Sequence, residues 1–346
     1  MMTESGGWWR RERFARKKRN LVLRAEAMAA VRRFFAERGF TEVDTPALQA
    51  SPGLEPHLHA FATRLFEPGE SERALYLHTS PEFAMKKLLS AGMERIFQLA
   101  HCFRNGERGT LHHPEFTMLE WYRAGASYRD LMADCEALLQ SVLAAIGTRE
   151  FSWRGRTADP RAPWRHLSVA EAFREFCGID LLATCPDPND PSLALLSEAA
   201  HACGLAPHAG DTWEDLFFRI FLEKIEPHLG LGAPAILYDY PIAMAALARA
   251  KPEDRRLAER FELYVCGLEL ANAFGELTDA EEQRQRFAAD REKRRARYGE
   301  AYPVDEDFLA ALAEMPPAAG IALGFDRLVM LAAGAERIDD VLWAPV

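Results

Sequence analysis

Residues 95–124, RIFQLAHCFRNGERGTLHHPEFTMLEWYRA, constrain the fold more than any other stretch, because they predict two strands joined by a polar loop. The first strand covers 95–104, the loop 105–114 and the return strand 115–123. Side chains on a strand alternate between its faces, so one face of the return strand carries Phe116, Met118, Glu120 and Tyr122. An aromatic ring, a carboxylate and a phenol near Arg104 suit a small cationic ligand and a phosphate. The alternative is a half-buried hairpin with Glu120 in water.

The remaining composition excludes several classes of protein. Six cysteines are scattered without a C-x-x-C pair, which indicates reduced thiols in a cytoplasmic protein. No run of about 18 apolar residues predicts a membrane span, and the N-terminus does not have the pattern of a secretory signal. The histidines lack the spacing of common zinc sites. We therefore expect a cytoplasmic protein without a membrane partner.

Charge is distributed unevenly along the chain. The formal net charge is −10, yet residues 8–20 contain seven Lys/Arg and one Glu, a local net of +6, so the other residues sum to −16. Such a basic arm could dock on nucleic acid or on an acidic protein. The alternatives are a solvated tail or the first turns of a helix. The acidic remainder argues against broad coating by nucleic acid.

Apolar periodicity and turn residues predict an α+β protein. Helices are expected at 21–38, 81–92, 128–146, 168–178, 191–203, 212–229, 280–298, 308–313 and 325–334. Strands are expected at 40–44, 75–80, 95–104, 115–123, 235–240 and 320–324, with a strand pair or one long bent strand at 260–270. Residues 147–163 are predicted to be a loop or weak linker. Residues 147–232 as a whole are interpreted as a mostly helical elaboration rather than a separate domain.

Several ordered segments resemble the catalytic domain of class II aminoacyl-tRNA synthetases, and most closely its lysyl branch. They are TSPEFAMK at 79–86, PEFTMLEWY at 114–122, RFELYVCGLELANAFGELTDAEEQ at 260–283 and GIALGFDRLVML at 320–331. Several ordered motifs seldom coincide by chance. The resemblance implies an antiparallel six-stranded sheet flanked by helices, with a basic arm at 1–20 followed by a catalytic domain at 21–346.

The length of the N-terminal segment narrows the expected acceptor. A lysyl-tRNA synthetase reads the anticodon with an N-terminal OB-fold domain, and about 20 residues are too few for such a barrel. The chain therefore resembles the lysyl-tRNA synthetase paralogues that modify elongation factor P. The resemblance implies that ATP activates (R)-β-lysine, or less well α-lysine, as an adenylate. Elongation factor P is then the protein partner that accepts it on a lysine side chain, and tRNA charging is not expected.

The resemblance also assigns the nucleotide contacts residue by residue. Arg104 corresponds to the catalytic arginine that holds the α-phosphate and the amino-acid carboxylate, and Arg327 to the one that holds the γ-phosphate. A planar, permanently charged guanidinium suits such anions. Phe116 is expected on one face of adenine, with Arg327 on the other. The implied ATP-binding residues are Arg104, Asn105, Gly106, Glu107, His113, Phe116, Glu269, Leu270, Gly324 and Arg327.

Two carboxylates match the family's metal ligands. Glu262 and Glu269 are implied to bind Mg²⁺, which prefers few carboxylates together with phosphate oxygens. An odd separation would place them on opposite faces of one uninterrupted strand. A turn or bulge near Gly267 is therefore required.

The implied amino-acid pocket is rich in acids. A β-lysine carries two ammonium groups, so carboxylates and a phenol are the expected complement. Ala322 lies where lysyl-tRNA synthetases usually have glycine and the paralogues have alanine. The implied pocket residues are Ser80, Glu82, Glu120, Tyr122, Asn272, Glu276 and Ala322.

The chain departs from the family pattern at three positions. The adenine-reading glutamate is replaced by Gly106, and the acid follows one residue later at Glu107. Either Glu107 or a backbone carbonyl would then read adenine. His113 replaces a common asparagine, and Ala273 replaces a common glycine.

Two other functions remain open from the sequence. One is a truncated lysyl-tRNA synthetase that charges tRNA, and the other is a non-catalytic, synthetase-like regulator. Domains of this class usually dimerise through their first motif, here residues 21–46, so the resemblance implies a homodimer.

Overall fold

The computed structural model describes residues 7–69, 72–245 and 247–346. Its helices are α1 (Arg11–Ala36), α2 (Glu82–Ser90), α3 (Tyr128–Ala145), α4 (Val169–Cys177), α5 (Leu193–His201), α6 (Trp213–Ile220), α7 (Ala280–Tyr298), α8 (Glu306–Ala313) and α9 (Phe325–Ala333). Its strands are β1 (Thr41–Glu42), β2 (Leu48–Gln49), β3 (Phe61–Leu65), β4 (Arg73–Leu77), β5 (Arg95–Phe103), β6 (Glu115–Ala124), β7 (Phe151–Trp153), β8 (Arg156–Ala158), β9 (Arg165–Ser168), β10 (Ala235–Pro241), β11 (Leu257–Val265), β12 (Leu268–Gly275) and β13 (Ala318–Gly324).

The main sheet is larger than the sequence predicted. Within the described ranges it has eight strands, in the order β1-β5-β6-β13-β12-β11-β10-β9. The strands from β5 to β10 in that order pair antiparallel, whereas β1 on β5 and β9 on β10 pair in parallel. The α+β class is confirmed, but the count of six strands was wrong because two short edge strands extend the sheet. Parallel pairing needs a long crossover, and helices lie within both crossovers.

The main hydrophobic core lies between one face of this sheet and the helices that cover it. Helices α1, α3 and α9 pack together against it. Leu119 and Trp121 of β6 project into this core and are fully buried. Glu120 and Tyr122, which alternate with them, project from the other face. The predicted alternation of β6 therefore separates a packed face from a polar one.

Helix α1 begins ten residues earlier than predicted, at Arg11 rather than residue 21. The basic residues 11–20 are therefore the first turns of a helix, which was one of the alternatives left open by the sequence. Lys17 is buried, and its ammonium donates to the Leu342 carbonyl at 2.8 Å. This contact attaches the basic end of α1 to the C-terminal residues.

Residues 147–232 contain strands as well as the predicted helices. The expected loop at 147–163 instead includes the hairpin β7–β8, whose turn residues Arg154 and Gly155 both have positive φ. Such a two-residue turn is typical of hairpins, but three-residue strands leave too little alternation to detect. Ser168 and Glu171 form a capping box at the start of α4, close to the predicted helix start at residue 168. The helices of this segment share a second apolar core with Leu237 and Tyr264 of the main sheet.

Smaller elements surround the polar face of the main sheet. Strands β2, β4 and β3 form a three-stranded sheet, of which the sequence predicted only the part near β4. Helices α2, α7 and α8 pack together through Phe83, Phe287 and Phe308. Among the helices of the described ranges, we find none with the length and apolar character needed to span a membrane.

Candidate active site

A row of residues that crosses four strands forms the floor of the polar face. Glu120 on β6 lies opposite Ala322 on β13, Ala322 opposite Asn272 on β12, and Asn272 opposite Glu262 on β11. Opposite residues of paired strands project to the same side of a sheet. The register therefore brings together positions that are far apart in sequence. The next row consists of Tyr122, Gly320, Phe274 and Arg260.

Glu120 lies at the centre of the predicted amino-acid pocket. Its side chain is 0% exposed, so the alternative of a water-facing carboxylate was wrong. The Ser80 hydroxyl donates to one carboxylate oxygen at 2.6 Å and the Tyr122 hydroxyl to the other at 2.9 Å. Burial, with a smaller contribution from nearby Glu82, raises the pKa of Glu120 to about 8. A bound cation would relieve this unfavourable burial of negative charge.

Lys86 is a pocket residue that the sequence analysis missed. Its ammonium lies 2.5 Å from Glu82 and 2.5 Å from Glu276, and the side chain is almost fully buried. Burial opposes its charge, but Glu276 and Glu82 outweigh this and raise the pKa of Lys86. Burial raises the pKa of Glu276 to about 7 despite the ion pair. The i,i+4 spacing of Glu82 and Lys86 on α2 is the sequence pattern that predicts this ion pair.

Gly320 and Asn272 complete this side of the site. A Cβ at Gly320 would lie 2.2 Å from the Tyr122 ring and 2.4 Å from Glu276 Oε1, so only glycine permits this close packing. The buried Asn272 Oδ1 has no hydrogen-bond partner among the described residues. Such orphaned polar atoms are uncommon in folded proteins, which is consistent with an acceptor reserved for a ligand.

Glu262 and Glu269 lie on one face, as the sequence analysis required. Strands β11 and β12 are joined by a two-residue turn in which Cys266 and Gly267 have φ of 56° and 76°. The register then skips Leu270, a bulge that returns Glu269 to the face of Glu262. The predicted turn near Gly267 is thus confirmed, and the side chain of Leu270 packs in the apolar core.

The electrostatics of the two carboxylates favour a cation. Burial, and then the nearby charge of Glu262, raises the pKa of Glu269 to about 7. Arg260 Nη2 lies 2.6 Å from Glu262, and the Tyr264 hydroxyl donates to the same carboxylate. Across the described ranges there is no cluster of three or more His, Cys, Asp and Glu that would hold a metal alone. Two carboxylates fit Mg²⁺, which takes its other ligands from phosphate and water.

Arg104 lies at the hairpin mouth next to Phe116. Its guanidinium carbon is 5.1 Å from the centre of the Phe116 ring, and Nη1 is 4.0 Å from Glu107. The buried Arg104 Nε has no hydrogen-bond partner among the described residues. This donor set fits a phosphate or carboxylate ligand. Gly106 has φ of 82° and turns the chain so that Glu107 lies beside Arg104.

Arg327 lies on the nucleotide side with a partner that the sequence analysis missed. It donates through Nη1 to the Glu269 carbonyl, and its Nη2 lies 3.3 Å from His112 Nε2. Burial, followed by the charge of Arg327, lowers the pKa of His112. A Cβ at Gly324 would meet only ordinary contacts of 3.6 Å and 3.8 Å. The fold itself therefore does not require glycine there, which leaves close ligand approach as its predicted reason.

The position of Arg327 depends on its neighbour Asp326. One Asp326 oxygen pairs with Arg24 of α1, and the other accepts from the Thr117 amide at 2.8 Å. Arg24 also donates to the Thr117 hydroxyl at 2.8 Å. All three side chains are buried. These three contacts join α1, β6 and α9 next to Arg327.

Two predicted ATP-binding residues, His113 and Asn105, make hydrogen bonds to backbone groups in the structure. His113 is buried, its Nδ1 donates to the Glu115 carbonyl at 2.6 Å, and its Nε2 accepts from the Val346 amide at 3.2 Å. Both ring nitrogens are therefore occupied by the protein. The Asn105 amide donates to the His59 carbonyl at 2.6 Å, which ties the hairpin loop to the loop after β2.

Comparisons with known proteins agree with this geometry. A family model described as tRNA synthetases class II (D, K and N) matches residues 8–346. The elongation factor P–(R)-beta-lysine ligase of Pectobacterium carotovorum subsp. carotovorum (strain PC1) is 44% identical over 327 residues, 93% of this chain and 94% of the relative. Proteins of the same name from Pectobacterium atrosepticum and Salmonella dublin are also 44% identical, over the same shares of both chains. The chain therefore belongs to the class II tRNA synthetase family of the D, K and N type.

Proposed function

We propose that this protein is an ATP-dependent ligase that activates (R)-β-lysine, or α-lysine, and transfers it to a lysine side chain of elongation factor P. The proposal agrees with the names of relatives that match it along 93% of its length. The observation that carries it is the buried acidic pocket around Glu120, which adjoins a pair of arginines on the same face of the sheet.

The charge of the pocket matches a diamino acid. Lys86 pairs with Glu82 and Glu276, and Glu120 lies near Glu82, so these four side chains have a net charge of −2 when all are ionised. A lysine isomer offers two ammonium groups to this negative pocket. Buried charges are stable only when they are paired, so a monoamino acid would leave more of the negative charge unmatched.

Arg104 and Arg327 provide the charge for activation. Arg104 would hold the substrate carboxylate against the α-phosphate of ATP, so that the carboxylate oxygen attacks phosphorus and pyrophosphate leaves. Arg327 would hold the γ-phosphate and neutralise charge on the leaving pyrophosphate. Such transfers depend mainly on positioning and electrostatic stabilisation. Phe116, beside Arg104, offers an aromatic face to the adenine ring.

Glu262 and Glu269 are the proposed holders of Mg²⁺. The ion, when bound, would neutralise phosphate charge and orient the triphosphate. Arg260 and Tyr264 keep Glu262 in place, and the bulge at Leu270 keeps Glu269 on the same face. Glu107 is the proposed reader of the adenine amino group, since Gly106 offers only its backbone.

The assembly and location are also proposals. The exposed apolar side chain of Val22 on α1 suits a homodimer through residues 21–46. All six cysteines are free thiols, which supports a cytoplasmic protein. Light scattering during size-exclusion chromatography would test the dimer, and a monomer at micromolar concentration would contradict it.

Amino-acid-dependent exchange of pyrophosphate into ATP tests the first step. We expect exchange with (R)-β-lysine and weaker exchange with α-lysine, and none with norleucine, which lacks the terminal ammonium. Mass spectrometry of elongation factor P after incubation then tests the transfer. An absence of exchange would favour a non-catalytic regulator, and substantial charging of total tRNA would favour a truncated tRNA synthetase.

A further inference from the structure

A cavity of about 130 Å³ lies next to the amino-acid pocket and is not used by the activation step. Its inner walls are apolar and buried, and include Leu54, Phe83, Met244 and Phe287. Each water-sized group needs about 10–15 Å³ of such space, so the cavity accommodates the five non-hydrogen atoms of a lysine side chain. We call it the outer cavity.

The lining of the outer cavity includes both exposed and buried charged residues. Glu214 and Lys293, an exposed ion pair at 3.6 Å between α6 and α7, form its mouth. Arg260, which is 9% exposed and holds Glu262, also lines the cavity. Arg260 Nε has no hydrogen-bond partner among the residues described, so a donor is left there for a ligand oxygen such as those of an adenylate.

Glu55 forms the wall between the outer cavity and the amino-acid pocket. It lines the outer cavity and also the smaller cavity that contains Ser80 and Glu82. Its carboxylate interacts electrostatically with both Glu82 and Arg104. The acyl carbon of a bound adenylate would lie between those two residues, because Arg104 holds its carboxylate end and the acidic pocket its amines.

We propose that the outer cavity is the channel for the acceptor lysine side chain, and that Glu55 accepts the proton of the acceptor ammonium. The lining has three carboxylates, Glu55, Glu214 and Asp290, and two cations, Arg260 and Lys293. Its apolar walls and net negative charge complement an aliphatic stem that ends in an ammonium group. The inference rests on the proposed function and assigns the acceptor half of that reaction to named residues.

The transfer step balances with groups already present. The Glu55 carboxylate takes one proton from the acceptor ammonium, and the free amine pair forms a C–N bond to the acyl carbon. The bond from that carbon to the phosphate oxygen breaks, and its electron pair leaves with AMP. The nitrogen loses its second proton to water, and Glu55 returns its proton to solvent through the mouth. Burial and the nearby Glu82 raise the pKa of Glu55, which makes it a stronger base.

The Glu55→Gln variant tests the base role. We expect the rate of transfer to elongation factor P, divided by the rate of lysine-dependent pyrophosphate exchange of the same variant, to fall by about a hundredfold or more. Raising the pH toward the pKa of the acceptor amine should restore transfer, and hydroxylamine, which is neutral at pH 7, should consume the adenylate at an unchanged rate. Glu314→Gln, an exposed carboxylate before β13, is the control and should change neither step.

The Ala243→Leu variant tests the channel, because Ala243 is a half-buried residue of its wall. It should raise the KM for elongation factor P by about tenfold or more while the KM for lysine stays constant. If exchange and transfer fell in parallel in either variant, the cavity would admit the amino acid and the proposal would be overturned. Unchanged transfer in both variants would also overturn it. An unsubstituted protein without exchange would instead contradict the proposed function, and the channel with it.

Discussion

The buried carboxylates of this site lower the free energy of unfolding of the protein. Glu120 and Glu276 have pKa values raised to about 8 and about 7, in each case mainly by burial. A raised carboxyl pKa means that the folded protein binds protons more tightly than the unfolded chain. The free energy of unfolding therefore falls as the pH rises from the ordinary carboxyl range toward these values. A bound diamino acid would offset this loss.

The Glu120→Gln variant should show how the charge of Glu120 affects the stability of the protein. Without ligand, the stability that protonated Glu120 contributes below its unfolded pKa is lost as the pH rises through about 8. The variant should therefore be more stable than the original protein at pH 8.5 by about 2–4 kcal/mol, and nearly equal to it at pH 4. Denaturant unfolding at both pH values measures this, with Glu314→Gln as control. A difference of the same size at both pH values would contradict the raised pKa.

Arg104 should be indispensable for activation and dispensable for folding. Replacement with alanine removes the guanidinium that meets the reacting phosphate, so exchange should fall by about a thousandfold or more. The melting temperature should change little, because the contacts of the Arg104 side chain with the Phe116 ring and, at 4.0 Å, with Glu107 are weak. The control is Arg108→Ala, an exposed arginine of the same loop. Exchange within tenfold of normal in a folded Arg104→Ala variant would refute the assignment.

At the scale of elements, the position of Arg327 depends on contacts from outside the site. Asp326 pairs with Arg24 of α1 and accepts from the Thr117 amide of β6. These partners are 302 and 209 residues away in sequence. A buried ion pair adds little net stability, but removal of one partner leaves an uncompensated charge.

The Arg24→Met variant should expose this dependence. It leaves the Asp326 carboxylate buried without its cation, so the unfolding free energy should fall by about 3–5 kcal/mol. Adding Asp326→Asn should recover part of the loss, because both charges are then removed. Chemical denaturation measures both changes, and Arg33→Ala on the exposed side of α1 should stay within about 0.5 kcal/mol. A loss equal to that of the control would mean that the pair is unimportant.

At the scale of the whole molecule, charge is separated between a basic helix end and an acidic remainder. The first turns of α1 expose Arg11, Arg16, Lys18 and Arg19, while buried Lys17 anchors them. We therefore propose that this basic helix end docks an acidic partner. Such surfaces act mainly on association rates and are screened by salt.

Reversing charge at this surface should affect transfer alone. The triple variant Arg16→Glu, Lys18→Glu, Arg19→Glu should raise the KM for elongation factor P by about tenfold at low salt and flatten its salt dependence. Pyrophosphate exchange should not change, because no site residue is touched. A matched reversal at the exposed Arg129, Arg154 and Arg174, away from the outer cavity, controls for net charge. Equal effects from both variants would show that only the total charge matters.

Local signals in the sequence predicted many elements correctly. The 3.6-residue periodicity, the capping box at Ser168 and the glycine stops place α2, α3, α4 and α7 close to their observed ranges. These signals depend on neighbours along the chain, so they are present in one sequence. Short elements such as β7 and β9 were missed, because three or four residues form strands only when a partner strand pairs with them.

Ordered motifs in the primary sequence identify the arginines and the acids of the site and predict the α+β class. How these groups come together depends on the tertiary structure. The strand register places Glu120, Ala322, Asn272 and Glu262 in one row, a bulge turns Glu269 to the same face, and Lys86 becomes buried between two acids. Register and burial arise from pairing between distant segments, and the pKa values of the acids follow from that burial.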